Sequence, residues 1–473
     1  MLSSNSHHEY SNQPPVDAST LTPNLSREEE AKLALENTVI TPLVARLLIA
    51  LFLLTIFSVP ALQHTIEIRR NMATRQELIA QGGEAADQTL WPQIYDVFAL
   101  LPPREKLTTA RTLRNVEQLL PQPAQITDYE ETLEENSVVN QWILPRAQTA
   151  LIGLGAGNEQ AYVGHGNWLM YRPDVDYLTG LGFLEPWQLQ ARQRAGDAST
   201  AAAQPDPLKA IVDFKQQLAR RDISLLVVMA PVKASIHPEK LSMRFGAETE
   251  PLQNNSFKRF KEELQRNGVL VVDPAPLIQS ARHETQTPQY LETDTHWTPS
   301  AMERTAQAVA IYIKTHAALP PRDAENYTRR SQHISNVGDI ALMLKLPEQQ
   351  TRFRAQRVLI HPVQTSDGED WYPRRNADIL LLGDSFTNIY SLAGMGWGEA
   401  AGFAEQLSFA LQRPLDRIAI NAGGALSSRQ ELWKELKRGR NRLRGKRLVI
   451  YEFAARDLSI GDWKIFELPP AKQ

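Results

Sequence analysis

The chain has 473 residues, of which 42% are hydrophobic and 22% are charged, and its formal net charge is −3. This length allows a substantial core, and the absence of a basic excess excludes the charge pattern of nucleic-acid-binding proteins, so no nucleic-acid partner is expected. The chain has no cysteine, which excludes a disulfide framework, a thiolate nucleophile and a cysteine-based zinc site.

The N-terminal region divides into three predicted segments. Residues 1–40 are polar and show no sustained period, so we expect them to be disordered. Residues 41–63 form an apolar run that is just long enough to cross a bilayer as one helix. A buried core helix is the alternative, whereas a removable signal peptide would begin earlier. Residues 64–128 are predicted to form a helical stalk or linker ahead of a domain at 129–465.

The pattern changes from about residue 160 onward. Residues 161–171 are typical of two short strands around a glycine-containing turn. Short apolar runs then alternate with helical stretches; the runs are 223–229, 269–273, 379–382, 418–420 and 448–451, and helices are predicted at 206–220 and 254–267. Such runs indicate strands that are buried on both faces. The sequence therefore predicts an α/β fold, a three-layer sandwich around a mostly parallel sheet.

Ser385 is a candidate nucleophile because of its position in this pattern. It follows the run 379–382 through Gly383 and Asp384, which places it at the carboxyl end of a predicted strand, where open α/β sheets bind ligands. A helix that begins near Thr387 would direct its first amides at the same point and could stabilise an oxyanion. The alternative is a turn serine that faces solvent and caps the next helix.

Asp294 and His296 are the candidate acid and base. They precede Thr298 and Pro299, a favourable N-cap with proline at the first helical position, so both are expected on an extended turn beside a helix. A carboxylate this close can hold one imidazole nitrogen and leave the other free to deprotonate a serine. A surface pair and a metal ligand are the alternatives. No second histidine or acidic cluster with ligand spacing accompanies His296, so no metal is expected.

Two further groups are candidates for an oxyanion hole or a substrate contact. Asn421, Gly423 and Gly424 follow the predicted strand 418–420, and their amides or the Asn421 side chain could complete the oxyanion site. Arg429, in the helix that comes next, could hold a substrate carboxylate or hydroxyls. Ordinary turn chemistry and a solvated helix charge are equally compatible with these residues.

Four segments together resemble a known family. They read GHGNWLMY at 164–171, VMAPVKASIHPEKL at 228–241, YLETDTHWTP at 290–299 and LLGDSF at 381–386. In this order they are similar to the segments of the alginate O-acetylation proteins AlgJ and AlgX, which share a permuted SGNH-hydrolase-like domain. Ordinary SGNH hydrolases place the serine block first, so the order DTHW before GDSF is a specific part of the resemblance.

The resemblance implies a function and a location. Ser385 would be the nucleophile, His296 the general base and Asp294 its orienting acid, in the transfer of acetyl groups to hydroxyls of an extracellular polysaccharide, whether alginate, cellulose or another glycan. No cofactor is implied. The partners would be the polysaccharide acceptor and a multi-spanning membrane acyltransferase that supplies the acetyl group. The location would be the inner membrane, with a single pass and the catalytic domain in the periplasm. Arg69, Arg70 and Arg75, which follow the apolar run, slightly favour the opposite orientation.

Two other functions remain open at this stage. An esterase that removes acetyl groups would use the same three residues, since water and a sugar hydroxyl compete for one acyl-enzyme. A non-catalytic subunit of a polysaccharide-secretion complex would carry the site without using it. The ratio of products distinguishes the first alternative, and a serine substitution distinguishes the second.

Overall fold

The computed structural model describes residues 41–80, 123–194 and 203–470. The predicted disorder of residues 1–40 and most of the predicted stalk lie outside the described residues. The described part divides into two compact units, one formed by 41–80 with 128–139 and the other by 123–127 with 140–470. The predicted domain start at 129 falls within the stretch 123–140, where the chain alternates between the two units, and the predicted domain bounds stay a prediction.

The secondary structure is as follows. The helices are α1 Pro42–Ala80, α2 Pro123–Asn136, α3 Val138–Gly153, α4 Arg172–Thr179, α5 Pro186–Arg194, α6 Pro207–Ala219, α7 Lys233–Ile236, α8 Pro238–Leu241, α9 Phe257–Arg266, α10 Ala275–Thr285, α11 Pro299–His316, α12 Asp339–Met343, α13 Ser385–Asn388, α14 Phe403–Leu411, α15 Gly424–Lys437 and α16 Asp457–Ile460. The strands are β1 Ala161–Val163, β2 Leu169–Tyr171, β3 Ser224–Ala230, β4 Leu270–Val272, β5 Thr328–Arg329, β6 Gln332–Asn336, β7 Gln356–Ile360, β8 Val363–Gln364, β9 Ile379–Gly383, β10 Asp416–Ala419 and β11 Leu448–Ala454.

The first unit is dominated by α1. Within it Pro42–Glu77 is long and apolar enough to cross a membrane, and none of its most apolar window is buried. This exposure argues against the alternative of a core helix. The helix continues past residue 63 to Ala80, so it is uninterrupted at the predicted boundary between span and stalk. Where the apolar run ends, Gln63 is buried and receives the Val138 amide on its side-chain oxygen at 2.6 Å.

The second unit is built on a five-stranded parallel sheet in the order β10-β9-β11-β3-β4. All five strands coincide with the five apolar runs of the sequence, within a few residues at their ends. Because the strands are parallel, the segments that follow them emerge at one edge of the sheet. Ser385 follows β9, and Asn421 follows the neighbouring strand β10.

The sheet separates two hydrophobic cores, which makes the unit a three-layer sandwich. Along β3, Leu226 and Val228 face one core, and Leu225 and Val227 face the other. Residues of α10, α11 and α14 complete the first core, and residues of α6, α9 and α15 complete the second. The alternation explains why these strands read as continuous apolar runs, since both faces are covered by helices.

Small antiparallel pairs surround the sheet. β1 pairs with β2, as the sequence predicts, and β5–β8 and β6–β7 form two further pairs that the sequence did not indicate. β6 is largely polar, and β7 begins with Gln356 and Arg357 and is only partly buried, so neither strand has the longer apolar run that marks a strand covered on both faces. The helix after β9 begins at Ser385 instead of near Thr387, because Asp384 caps it.

Candidate active site

The Asp294–His296 turn holds the imidazole in one orientation. Asp294 Oδ1 lies 2.6 Å from His296 Nδ1 and also accepts the His296 backbone amide at 3.1 Å. A carboxylate at this distance requires the proton on Nδ1. The turn ends where the Thr298 side chain accepts from the Ala301 amide at the start of α11, which confirms the predicted N-cap.

The second oxygen of Asp294 is held by two donors from elsewhere in the chain. Trp397 Nε1 donates to Oδ2 at 2.9 Å, and the Asp339 amide donates at 3.0 Å. Burial by itself would raise the pKa of Asp294, but the hydrogen bonds and the nearby imidazole lower it to about 2. Asp294 is therefore an anion at every physiological pH.

His296 is 2% exposed, and only one of its two ring nitrogens, Nδ1, is hydrogen-bonded. Nε2 has no hydrogen-bond partner in the structure. Burial tends to lower the pKa of His296, but the hydrogen bond and the charge of Asp294 outweigh it and raise the pKa above the ordinary value. The imidazole ring packs on Phe386, the residue after Ser385, with 4.7 Å between ring centroids.

Ser385 stands on a turn that is fixed by neighbouring strands. Asp384 Oδ1 accepts the Phe386 amide at 2.7 Å, and Oδ2 accepts the Ala454 amide from β11 at 2.8 Å. Glu452 accepts from Thr387 Oγ1 at 2.7 Å. From residue 377 to residue 391, Ser385 alone is not buried. No hydrogen bond joins it to His296, an arrangement common before a substrate tightens catalytic contacts.

Two hydrogen bonds connect the histidine segment to the serine segment. Trp297 Nε1 donates to the Phe386 carbonyl at 3.2 Å, and Tyr390 Oη donates to the Trp297 carbonyl at 2.7 Å. All three aromatic residues are buried. The fold thus places side by side the two segments that the sequence separates by about ninety residues.

Asn421 and the glycines after it lie next to the serine turn. Asn388 Nδ2, at the end of α13, donates to Asn421 Oδ1 at 2.8 Å, so the loop after β10 is tied to the helix that carries Ser385. Asn421 is exposed, and Gly423 and Gly424 are partly exposed. Gly424 has φ +54 and lies against the Asp457 carboxylate. The amide of Phe386, in the first turn of α13, donates to Asp384.

Arg429 lies in different surroundings from those expected. Its side chain is buried in the second core, where Nε donates to the Tyr451 hydroxyl at 3.0 Å and Nη1 to the Lys464 carbonyl at 3.2 Å. The guanidinium also lies over the rings of Trp463 and Phe466. None of these contacts involves Ser385, so its surroundings give no support to the expected substrate contact.

Asp339 is a carboxylate that the sequence did not connect with the site. Asp294, His296 and Asp339 offer ligand atoms within 4.8 Å of one another, which corrects the expectation that His296 has no acidic cluster near it. This spacing would fit a metal ion. The atoms are already engaged, however, because Nδ1 donates to Asp294 and both Asp339 oxygens accept from Thr295. The donor set therefore fits an oriented imidazole better than a metal centre.

Lys233 stabilises the chain that leads into the Asp294 turn. Its ammonium is buried and donates to the Leu169 carbonyl at 2.7 Å and to the Glu292 carbonyl at 3.2 Å, which joins β2 to the chain that enters the Asp294 turn. Burial lowers the pKa of Lys233 to about 8, although Asp294 and Asp339 act against that shift. A lysine inside an apolar run was the available sequence signal for this role.

With this geometry in place, the chain can be compared with known proteins. The family model described as "SGNH hydrolase-like domain, acetyltransferase AlgX" matches residues 185–455. The chain belongs to this family. The match includes β3 to β11 and the candidates Ser385, His296 and Asp294. It identifies the three-layer α/β sandwich as an SGNH hydrolase-like fold.

Curated relatives carry the same family names. The chain is similar to the probable alginate O-acetylase AlgJ of Azotobacter vinelandii, with 27% identity over 52% of this chain and 61% of the relative. It is also similar to the alginate biosynthesis protein AlgX of Pseudomonas aeruginosa, with 28% identity over 49% of this chain and 47% of that protein. The chain thus spans less than two thirds of the length of these relatives.

Two solved structures also match part of the chain, each with a TM-score below 0.5. The O-acetyltransferase domain of Pseudomonas putida AlgJ is 18% identical, with 63% of this chain and 92% of that chain covered and a TM-score of 0.47. Pseudomonas aeruginosa AlgX is 19% identical, with 63% and 65% covered and a TM-score of 0.44.

Gly338 allows the close approach of α12 to the Asp294 turn, which leads to a testable prediction. A Cβ atom at this position would lie 2.3 Å from the Thr293 carbonyl and 2.4 Å from the Asp294 amide nitrogen. We expect Gly338→Ala to lower the free energy of unfolding by about 1–3 kcal/mol, since neither backbone can yield without moving the turn. Thermal denaturation of the full chain in detergent measures the effect.

Gly246→Ala is the matched control. A Cβ atom there meets nothing within 4 Å, and the backbone is in an ordinary conformation. Equal melting temperatures for the two variants would contradict the proposed tight approach of α12.

Proposed function

We propose that the chain is a membrane-anchored O-acetyltransferase that moves acetyl groups onto hydroxyls of an extracellular polysaccharide through a Ser385–His296–Asp294 acyl-enzyme mechanism. The observation that carries the proposal is the buried imidazole, with one nitrogen held by a carboxylate and the other unpartnered beside the serine turn. Membership of the AlgX acetyltransferase family supports acetyl as the transferred group and a polysaccharide as the acceptor.

The first half of the reaction forms an acetyl-enzyme. Ser385 Oγ attacks the acetyl carbonyl of the donor while His296 Nε2 takes the hydroxyl proton. Asp294 keeps the Nδ1 proton in place and stabilises the imidazolium that forms. The bond between the acetyl carbon and the leaving oxygen then breaks, and His296 returns the proton to that oxygen. Acetyl-Ser385 and the free donor alcohol are the products.

The second half repeats the steps with the sugar. A hydroxyl of the polysaccharide attacks the acetyl carbonyl of acetyl-Ser385, and His296 takes its proton. Collapse of the tetrahedral intermediate releases the acetylated sugar, and Ser385 recovers its proton from His296. The Asn421 side-chain amide and the backbone amides of Gly423 and Gly424 are the candidates to stabilise the oxyanion in both halves.

Membership of the family and the apolar helix α1 support a proposal for the donor and the anchor. We propose that a multi-spanning membrane acyltransferase supplies the acetyl group at the outer face of the inner membrane. The segment Pro42–Glu77 would anchor the chain there in a single pass, with the second unit in the periplasm. Alginate is one acceptor of this class, and cellulose is another.

An acetyl-transfer assay on the full chain in detergent tests the function. With p-nitrophenyl acetate as donor and oligouronate or cello-oligosaccharide as acceptor, we expect acetylated oligosaccharide by mass spectrometry. Ser385→Ala should abolish it, whereas Ser366→Ala, a change at an exposed serine, should not. Acetate alone with every acceptor would indicate an esterase. Equal products from Ser385→Ala and the unaltered chain would indicate a non-catalytic subunit.

Asp294→Asn tests the role of the carboxylate. We expect kcat to fall by about 10²–10⁴-fold, because an amide cannot accept from His296 Nδ1, Trp397 Nε1 and the Asp339 amide together. The acid limb of the kcat/KM profile should move to lower pH. Burial lowers the pKa of His296 and the Asp294 charge raises it, so removing that charge lets the pKa fall.

The control for this variant is Asp176→Asn, at an exposed position. It should leave both the rate and the profile unchanged. Unaltered turnover in Asp294→Asn would remove Asp294 from the mechanism.

The absence of cysteine gives a direct test of orientation. A single cysteine at Met243, which is 86% exposed in the second unit, or at Ser19, which precedes α1, would be the one thiol in the chain. In bacteria with a permeabilised outer membrane, we expect a membrane-impermeant maleimide to label Met243→Cys but not Ser19→Cys. The reverse pattern would show that the charges of Arg69, Arg70 and Arg75 decide the topology.

A further inference from the structure

We propose that Asp339 is a positioning residue that works with Thr295 as a second anionic support on the Nδ1 side of His296 and makes the imidazole a stronger base. This inference rests on the proposed function and adds a residue to the same site. Asp339 follows His296 by more than forty residues and lies at the first position of α12, outside the four short segments at 164–171, 228–241, 290–299 and 381–386.

The contacts form a chain from Asp339 to the imidazole. Asp339 Oδ2 accepts from the Thr295 hydroxyl at 2.7 Å, and Oδ1 accepts from the Thr295 amide at 2.7 Å. Thr295 Oγ1 lies 3.0 Å from His296 Nδ1. Because the Thr295 hydroxyl donates its hydrogen bond to Asp339, the lone pairs of its oxygen can accept from the Nδ1 proton. That proton is therefore shared between Asp294 Oδ1 and a hydroxyl that Asp339 polarises.

The same residue also supports Asp294. The Asp339 amide donates to Asp294 Oδ2, so one residue gives its amide to one side of the turn and its carboxylate to the other. The preceding residue, Gly338, donates its amide to Thr293 Oγ1, and the Ala341 amide donates to the Thr293 carbonyl. The first turn of α12 and its N-cap are thus bound to the histidine turn by five hydrogen bonds.

The electrostatic surroundings favour a protonated imidazole at the transition state. Asp294 faces His296 from its own turn, and Asp339 faces it from α12 with Oδ2 3.8 Å from Nδ1. Arg456, from the segment after β11, opposes them. Asp174 pairs with Arg456 at 3.0 Å, and the Lys233 ammonium donates to two backbone carbonyls. The two ion pairs of His296 Nδ1 within 4 Å are both with carboxylates.

The two carboxylates differ in exposure and in titration. The side chain of Asp294 is 2% exposed and that of Asp339 is 35% exposed. Burial and the charge of Asp294 raise the pKa of Asp339. Asp294 thus keeps its charge at all working pH values, and Asp339 loses its charge first as the pH falls.

The gain is specific to the reacting state. While His296 is neutral, Asp339 only orients it through Thr295. When His296 takes the proton of Ser385 or of the acceptor hydroxyl, the new positive charge lies between two anions, and a stabilisation that appears only then accelerates the reaction. No proton moves to Asp339 in any step.

The test is a histidine titration by NMR on the full chain in detergent micelles. The His296 signal among the ten histidines is assigned by its absence in His296→Gln. We expect the midpoint to be lower in Asp339→Asn than in the unaltered chain, and Thr295→Val to shift it in the same direction by a smaller amount. The side-chain oxygen in Asp339→Asn can still accept the Thr295 amide, so the turn is kept.

Kinetics distinguish an electrostatic role from a merely structural one. Asp339→Asn should move the acid limb of kcat/KM to lower pH and lower the plateau on the order of tenfold. Loosening of the turn alone would lower the plateau without moving the limb. Asp378→Asn is the matched control, since it removes a buried carboxylate that pairs with Arg413 at the opposite end of β9 and should move neither midpoint nor limb.

An unchanged His296 midpoint in Asp339→Asn would overturn the proposal. If that variant does not fold, an unchanged midpoint in Thr295→Val would overturn it. The titration needs no substrate. A chain that transfers no acetyl group would contradict the proposed function, and the His296 midpoints would still decide the role of Asp339.

Discussion

The candidate site depends on the reciprocal contact between Trp297 and the helix that carries Ser385. The Trp297 indole donates to the Phe386 carbonyl, and the Trp297 carbonyl accepts from the Tyr390 hydroxyl. Both bonds are buried, so loss of either would leave a polar group unsatisfied in the core. These bonds hold the two segments next to each other, which brings the imidazole against the serine turn.

Around this contact the chain concentrates buried charge. Asp294, Lys233 and Asp174 are almost inaccessible to water, and the side chain of Arg456 is 13% exposed. Each is held by a named partner, such as the 3.0 Å pair of Arg456 with Asp174. Buried charges are costly unless they are paired, and they favour one arrangement over alternatives in which they would be unpaired. The result is a preorganised site, in which the solvent-facing serine is the exception within its turn.

Much of this arrangement could be predicted from local patterns. The five apolar runs predicted the five strands because a strand covered on both faces has apolar residues at every position. Thr298 and Pro299 predicted the start of α11, and the spacing of Asp294 and His296 predicted their contact, which the structure has at 2.6 Å. The half-exposed strands β6 and β7 left no comparable pattern.

What the sequence by itself determined is the five strands of the parallel sheet and the start of α11, and it supplied the candidates for the acid, the base and the hydroxyl. Each depends on neighbours within a few residues, where backbone geometry limits the outcomes. Only the tertiary structure decided that Trp397 and Asp339 hold Asp294 and that Arg429 is buried among aromatic rings of the second core. Those contacts join residues far apart in the chain, and their partners are chosen by how helices pack on the two faces of the sheet, which no local pattern records.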